Sequence, residues 1–241
     1  MKKIKEEKNI IKRPFLVGFW FSLLLIVTLA SFFISFPYIL KNLFFSFFIL
    51  SSYFYIFSFI FYLVVLSSFY YLGKKYKNNL LKKSTIILGV FSIIAFFLSL
   101  IFLFNIYLKL EANHEVFSKG MSYLINKTKE FDSKNPSFLK ETFIPFLDET
   151  LTPFFIFIIV SYLIYAVIYT FFSVGLIKIK DSSYSKILGI LNIITVWIPI
   201  ITPIIIAPII SIFLVPILII ICLVFQCLLF YEQAKKADGK S

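Results

Sequence analysis

The stretch from Ile187 to Phe230 contains no charged side chain. As a single helix it would measure about 66 Å at about 1.5 Å per residue, roughly twice the ~30 Å hydrocarbon core of a bilayer. Pro199, Pro203 and Pro208 lie near its middle, and proline removes a helical hydrogen bond. The stretch therefore predicts two membrane-spanning helices, with these prolines as a helix break or turn at about residues 202–208. A second interpretation is a pair of broken helices whose freed carbonyls coordinate a solute.

The composition also indicates a membrane protein. Hydrophobic residues make up 60% of the chain and charged residues 15%, whereas soluble domains average about 25% charged residues. The net charge of +12 is carried by short clusters beside apolar runs, with Arg13 as the only arginine. Nucleic-acid-binding proteins favour arginine and a continuous basic face. We therefore expect the lipid bilayer as the partner and no nucleic acid.

Apolar runs of spanning length recur along the chain. They predict an all-α, polytopic transmembrane helix bundle with six spans, at about 14–37, 43–72, 84–108, 151–177, 187–204 and 208–231. The first run exceeds the core of a secretory signal, which favours a retained span. Residues 1–13 and 232–241 form basic tails. We expect the 109–150 segment to form two short amphipathic helices on the membrane; a hairpin that packs against itself is an equal alternative.

The lysines indicate the orientation of the bundle. With six spans, the two tails and the loops after spans two and four lie on one side, and they hold most of the 24 basic residues. By the positive-inside rule, both termini are expected in the cytoplasm and the 109–150 segment outside. The span pattern, with the YYLGKKY and ILG segments, resembles small six-span prokaryotic membrane families. That resemblance carries over no site residues. We expect the plasma membrane of a prokaryote as the location.

An Ile-Leu-Gly triplet ends at Gly89 and again at Gly189, each time after a glycine and a lysine-bearing loop. Spans two and three are thus a candidate repeat of spans four and five; chance in an isoleucine-rich chain is the alternative. In a repeat, Gly89 and Gly189 are candidate points of close approach between helices.

No predicted span contains an ionisable Asp, Glu, Lys or Arg, which argues against a proton-coupled pump or a voltage sensor. We find no catalytic set, cofactor-binding motif or metal-ligand pattern, and His114 stands alone. We therefore expect neither a cofactor nor enzymatic activity. Three amides, Asn105, Asn192 and Gln226, are predicted to make interhelical hydrogen bonds; lining a polar cavity is the sharper alternative.

Two functions remain after these exclusions. The first is a non-enzymatic helix bundle that scaffolds or associates with membrane proteins or lipids, with a membrane-protein partner or a homo-oligomer as the assembly. The alternative is a permease or the solute-binding membrane subunit of a transporter. A tightly packed bundle favours the first function, and a polar central cavity favours the second.

Overall fold

The structure is a computed structural model that describes residues 2–41, 44–126, 139–205 and 208–237. Its elements are helical. In chain order they are α1 (Lys2–Lys41), α2 (Phe44–Lys75), α3 (Asn79–Ala112), α4 (His114–Asn126), a π-helical turn (Leu139–Phe143), α5 (Ile144–Ile177), α6 (Ser183–Ile205) and α7 (Pro208–Ala237). The prediction of an all-helical chain is confirmed for the described residues.

Six of these helices, α1, α2, α3, α5, α6 and α7, are long and apolar enough to cross a membrane. This confirms the coarse prediction of six apolar helices of spanning length. Helix α5 begins at Ile144, ahead of the predicted span start near residue 151. The orientation of the bundle and the position of its termini stay predictions.

The prolines of the long uncharged stretch occupy different positions. Pro199 and Pro203 lie within the last two turns of α6, which continues to Ile205, and Pro208 is the first residue of α7. Proline is well suited to the first helical position because its missing N–H has no intrahelical acceptor there. Two helices therefore replace one long one, and residues 206–207 of the predicted turn lie outside the described residues.

The chain divides into two compact units: unit A, residues 1–90 and 165–241, and unit B, residues 91–164. In unit A, α1 packs against α2 and α7, and α6 packs against α7. Phe69 lies in the core of this unit, with its ring 5.0 Å from that of Phe172 and 4.8 Å from that of Phe230. Large apolar side chains on the outside of unit A, such as Trp20 and Ile87, are exposed, as lipid-facing residues of a membrane bundle are.

Unit B contains the predicted polar segment. The ring of Phe143, in the π-helical turn, is buried and lies 6.5 Å from that of Phe117 on α4. Lys109 on α3 forms an exposed 3.4 Å ion pair with Glu149 on α5. Residues 127–138 of this segment lie outside the described residues. Its placement on the membrane as two amphipathic helices stays a prediction.

Candidate functional site

Polar and charged side chains meet at one end of unit A. There, the carboxyl ends of α2, α5 and α7 and the amino ends of α3 and α6 are joined by side-chain hydrogen bonds. Helix α1 contributes its Phe15 side chain and the Pro14 carbonyl, which accepts a 2.8 Å bond from Ser68 of α2. We call this region the lysine-rich end.

Lys75 and Gln233 bind the end of α2 to the end of α7. The Lys75 ammonium donates a 2.8 Å hydrogen bond to Gln233 Oε1, and the Tyr76 hydroxyl donates to the same oxygen at 3.0 Å. The ammonium also lies 5.2 Å from the centre of the Phe15 ring, within cation–π range. Gln233 is fully buried, and its Nε2 has no hydrogen-bond partner among the described residues.

A second set of bonds fixes the α5–α6 loop, residues 178–182, to α7. Ser182 donates a 2.5 Å hydrogen bond to Glu232, and Lys236 donates a 2.5 Å bond to the Asp181 carbonyl. Lys236 also pairs with Glu232 at 2.7 Å. Ser182 Oγ accepts from the backbone N–H of Ser185, which makes it the N-cap of α6. The charges of Glu232 and Lys236 are therefore used within the fold.

The α2–α3 loop, residues 76–78, is bound in turn to the end of α5. Asn78 Nδ2 donates a 2.7 Å bond to the Gly175 carbonyl, while Asn78 Oδ1 accepts from the Leu81 N–H at 3.0 Å and caps α3. The two loops enclose an open groove of about 530 Å³. Its lining comprises Tyr76, Lys77, Asn78, Asn79, Leu80, Lys178, Ile179, Lys180 and Asp181.

Two of the three predicted amides are buried in unit A. Gln226 on α7 donates a buried 2.6 Å hydrogen bond to Ser22 Oγ on α1. Asn192 on α6 is 2% exposed and lies one turn from Thr195, whose hydroxyl oxygen is 3.3 Å from Cys222 Sγ on α7. The bond of Gln226 thus joins α7 to α1.

The third amide, Asn105, is an exposed residue of unit B. It lines a separate pocket of about 310 Å³ that also contains Lys109, Glu149 and Pro153. Within the described residues, no group of three or more His, Cys, Asp or Glu side chains is placed to hold a metal ion.

The two glycines of the candidate repeat differ in their surroundings. A Cβ atom added to Gly189 would lie 2.6 Å from the Ser173 carbonyl of α5, so the two backbones are in close contact there. At Gly89 the nearest atom would be Leu66 Cδ1 at 3.8 Å, an ordinary contact. Gly175 was not predicted as a point of close approach, but it is one: a Cβ atom added there would lie 2.8 Å from Leu81 Cα.

Sequence reasoning missed Asn78, Ser182 and Gln233. A signal existed for the first two, because Asn and Ser directly before an apolar helix are favoured N-cap residues. Gln233 carries no such signal, since its importance arises from the approach of α2 to α7. No protein-family model matches this chain, and neither the curated proteins nor the solved structures contain a significant match to it.

Proposed function

We propose that this protein is a non-enzymatic, multi-pass membrane helix bundle that associates with membrane lipids or with other membrane proteins. The observation that carries the proposal is the use of buried polar groups in unit A. Gln226 bonds to Ser22 across α7 and α1, and Trp197 donates to Thr170 at 2.9 Å across α6 and α5. Such bonds stabilise helix association in lipid by about 1 kcal/mol each.

A solute-binding site needs convergent polar groups that remain available to the ligand. In unit A, Ser22 is bonded to both Gln226 and the Gly18 carbonyl, and Thr195 donates to the Leu191 carbonyl. These groups are therefore engaged in hydrogen bonds within or between the helices. Among the described residues of unit A, an accessible polar surface lies at the lysine-rich end, where the helices end. This arrangement supports a role in association at the membrane surface.

The lysine-rich end also supports the orientation that we propose. Basic segments beside spanning helices face the cytoplasm by the positive-inside rule, and anionic lipids are abundant in that leaflet. In the plasma membrane of a prokaryote, which we propose as the location, this end would lie against anionic headgroups.

A permease, or the membrane subunit of a transporter, is the second candidate. The pocket beside Asn105 in unit B is the observation that favours it, because an amide, a lysine and a carboxylate line the same space. The proline pair in α6 and the candidate repeat add support from the sequence.

Isolation of the protein with its surrounding native membrane in polymer nanodiscs tests the proposal. We expect a lipid class or a membrane protein, or further copies of this chain, to be enriched over the bulk membrane. The control is the variant N105L/N192L/Q226L, which removes the three amides. It should retain the same enriched partners if those amides serve packing alone. A small solute that stabilises the wild type and not this variant would contradict the proposal and favour the transporter.

A further inference from the structure

We propose that the groove between the α2–α3 and α5–α6 loops binds the phosphate group of an anionic phospholipid. This inference rests on the proposed function, in which the protein associates with membrane lipids, and it names the lipid class and the site. Four features of the groove support this assignment: its charge, its fixed floor, the backbone at Lys77, and its position beside the apolar surface.

The groove is lined by more positive than negative charge. Three exposed lysines, Lys77, Lys178 and Lys180, line it together with one acid, Asp181. Within the described part of the chain, ion pairs are formed by Lys109 and Lys236 and not by these three ammonium groups. The Asn79 side chain adds an amide to the lining. Ammonium and amide donors are the groups that proteins offer to phosphate oxygens.

The floor of the groove is held in place before any ligand binds. Asn78 joins the first loop to Gly175, and Lys236 joins the second loop to α7 through the Asp181 carbonyl. Gly175 and Leu81 are in close backbone contact, and the Asn78 bond to the Gly175 carbonyl holds the two helix ends together. A site formed in advance loses less conformational entropy on binding.

The backbone at Lys77 is in an unfavourable conformation for its residue type. Lys77 has φ of 50°, and its N–H donates to the Lys74 carbonyl while that of Asn78 donates to Gly73. This is the Schellman ending of a helix, in which the left-handed residue is usually glycine. A lysine at this position stores strain, and it places a cation in the lining of the groove. Strained residues are concentrated at functional sites.

The apolar surface next to the groove indicates a lipid and not a soluble anion. Leu80 lines the groove, and Ile87 lies two turns further along the same face of α3 with 54% of its surface exposed. A phosphate in the groove therefore has lipid-facing helix surface directly beneath it. Acyl chains attached to that phosphate would follow Ile87 into the membrane.

Lipid titration of the full chain in a neutral detergent tests this inference. Dioctanoyl phosphatidylglycerol should raise the Tm of the wild type. The variant K77Q/K178Q/K180Q should bind this lipid about tenfold more weakly or worse, because each lysine near an anionic surface contributes to the affinity for it.

The matched control, K74Q/K83Q/K186Q, removes the same charge from exposed lysines at the same end that do not line the groove. Its affinity should stay within about threefold of wild type, since distant charges are screened. Lys77→Gly, which suits the local backbone, provides a second variant that should fold and bind more weakly.

Three results would overturn the assignment. An equal loss of lipid affinity in the groove variant and in the control would show that diffuse surface charge, and not the groove, attracts the lipid. Equal stabilisation by inorganic phosphate would identify a soluble anion, and equal stabilisation by dioctanoyl phosphatidylcholine would show that headgroup charge is not recognised. In each case native nanodiscs that still contain an enriched lipid or protein would leave the proposed function standing. A failure of the proposed function would instead appear as the absence of any enriched lipid or protein in the nanodiscs.

Discussion

Asn78 of the α2–α3 loop donates one 2.7 Å hydrogen bond from its side-chain amide to the Gly175 carbonyl, at the carboxyl end of α5. The same Asn78 caps α3 through its Oδ1 atom, so a single amide fixes both a helix start and its distance from α5. Gly175 allows this approach because a side chain there would meet the Leu81 backbone. The geometry of the groove depends on this pair.

Substitution of Asn78 should separate its two roles. Asn78→Ala removes the cap and the bond to Gly175, and we expect a loss of about 1–3 kcal/mol in the free energy of unfolding. Asn78→Ser retains a cap acceptor and loses the reach to Gly175, so its loss should be smaller. Reversible unfolding in mixed micelles provides the measurement. Equal losses in the two variants would contradict a separate contribution from the bond to Gly175.

The glycines provide a matched series of single methyl additions. Gly175→Ala and Gly189→Ala would place a Cβ 2.8 Å from Leu81 Cα and 2.6 Å from the Ser173 carbonyl oxygen, and overpacking of this kind typically costs about 1–3 kcal/mol. Gly89→Ala meets an ordinary contact, so the better helix propensity of alanine should leave stability unchanged or raise it by up to about 1 kcal/mol. Thermal unfolding of the three variants measures the difference. A loss in Gly89→Ala as large as in the other two variants would show that the local contact does not determine the requirement for glycine.

The bond between Gln226 and Ser22 predicts an asymmetric response. Ser22→Ala leaves the buried Gln226 amide without its acceptor, a loss of about 1–3 kcal/mol. Gln226→Leu should cost less, because Ser22 retains its 2.7 Å bond to the Gly18 carbonyl. The double variant should therefore be more stable than Ser22→Ala alone, which a double-mutant cycle on unfolding free energies measures. Additive losses would show that the two side chains do not interact.

The spanning helices were predictable because lipid imposes a simple length and polarity requirement on them. The stretch from Ile187 to Phe230 is too long for one span, and it is folded as α6 and α7 with Pro208 at the start of the second helix. Pro199 and Pro203 were less predictable. Each proline removes only its own N–H hydrogen bond, and α6 continues through both residues.

The candidate site was much less accessible to sequence reasoning. Gln226 could be selected as a rare amide inside an apolar run, and it makes an interhelical bond. Its partner Ser22 is one of many serines, and only the approach of α1 to α7 distinguishes it. The same holds for Gln233, which lies in a tail with ordinary polar composition and is fully buried against Lys75 and Tyr76.

Lys77→Gly should stabilise the protein while it weakens lipid binding in the groove. The φ of 50° at this residue is accessible to glycine without steric strain, so we expect a gain of about 0.5–1 kcal/mol in unfolding free energy in the absence of lipid. Lys74→Gly is the control: it lies within α2, where glycine is destabilising by about 1 kcal/mol relative to alanine. Thermal unfolding of both variants without added lipid gives the comparison. A loss of stability in Lys77→Gly would show that the lysine side chain makes a stabilising contact in the apo protein.

The orientation of the chain gives the last prediction. Single cysteines in place of Lys83, Lys186 and Lys235, introduced after Cys222 and Cys227 are changed to alanine, should all react with an impermeant maleimide from the same side of sealed vesicles, because these exposed residues belong to segments that meet at the lysine-rich end. By the positive-inside rule that side is the cytoplasmic one.

A cysteine at Asn113, an exposed residue between α3 and α4, should react from the opposite side, since α3 is long enough to cross the bilayer. Labelling of Lys83 and Asn113 positions from the same side would mean that α3 does not span the membrane. Labelling of Lys83 and Lys235 positions from opposite sides would contradict six spans, and the lipid groove would then lose the membrane surface that supplies its ligand.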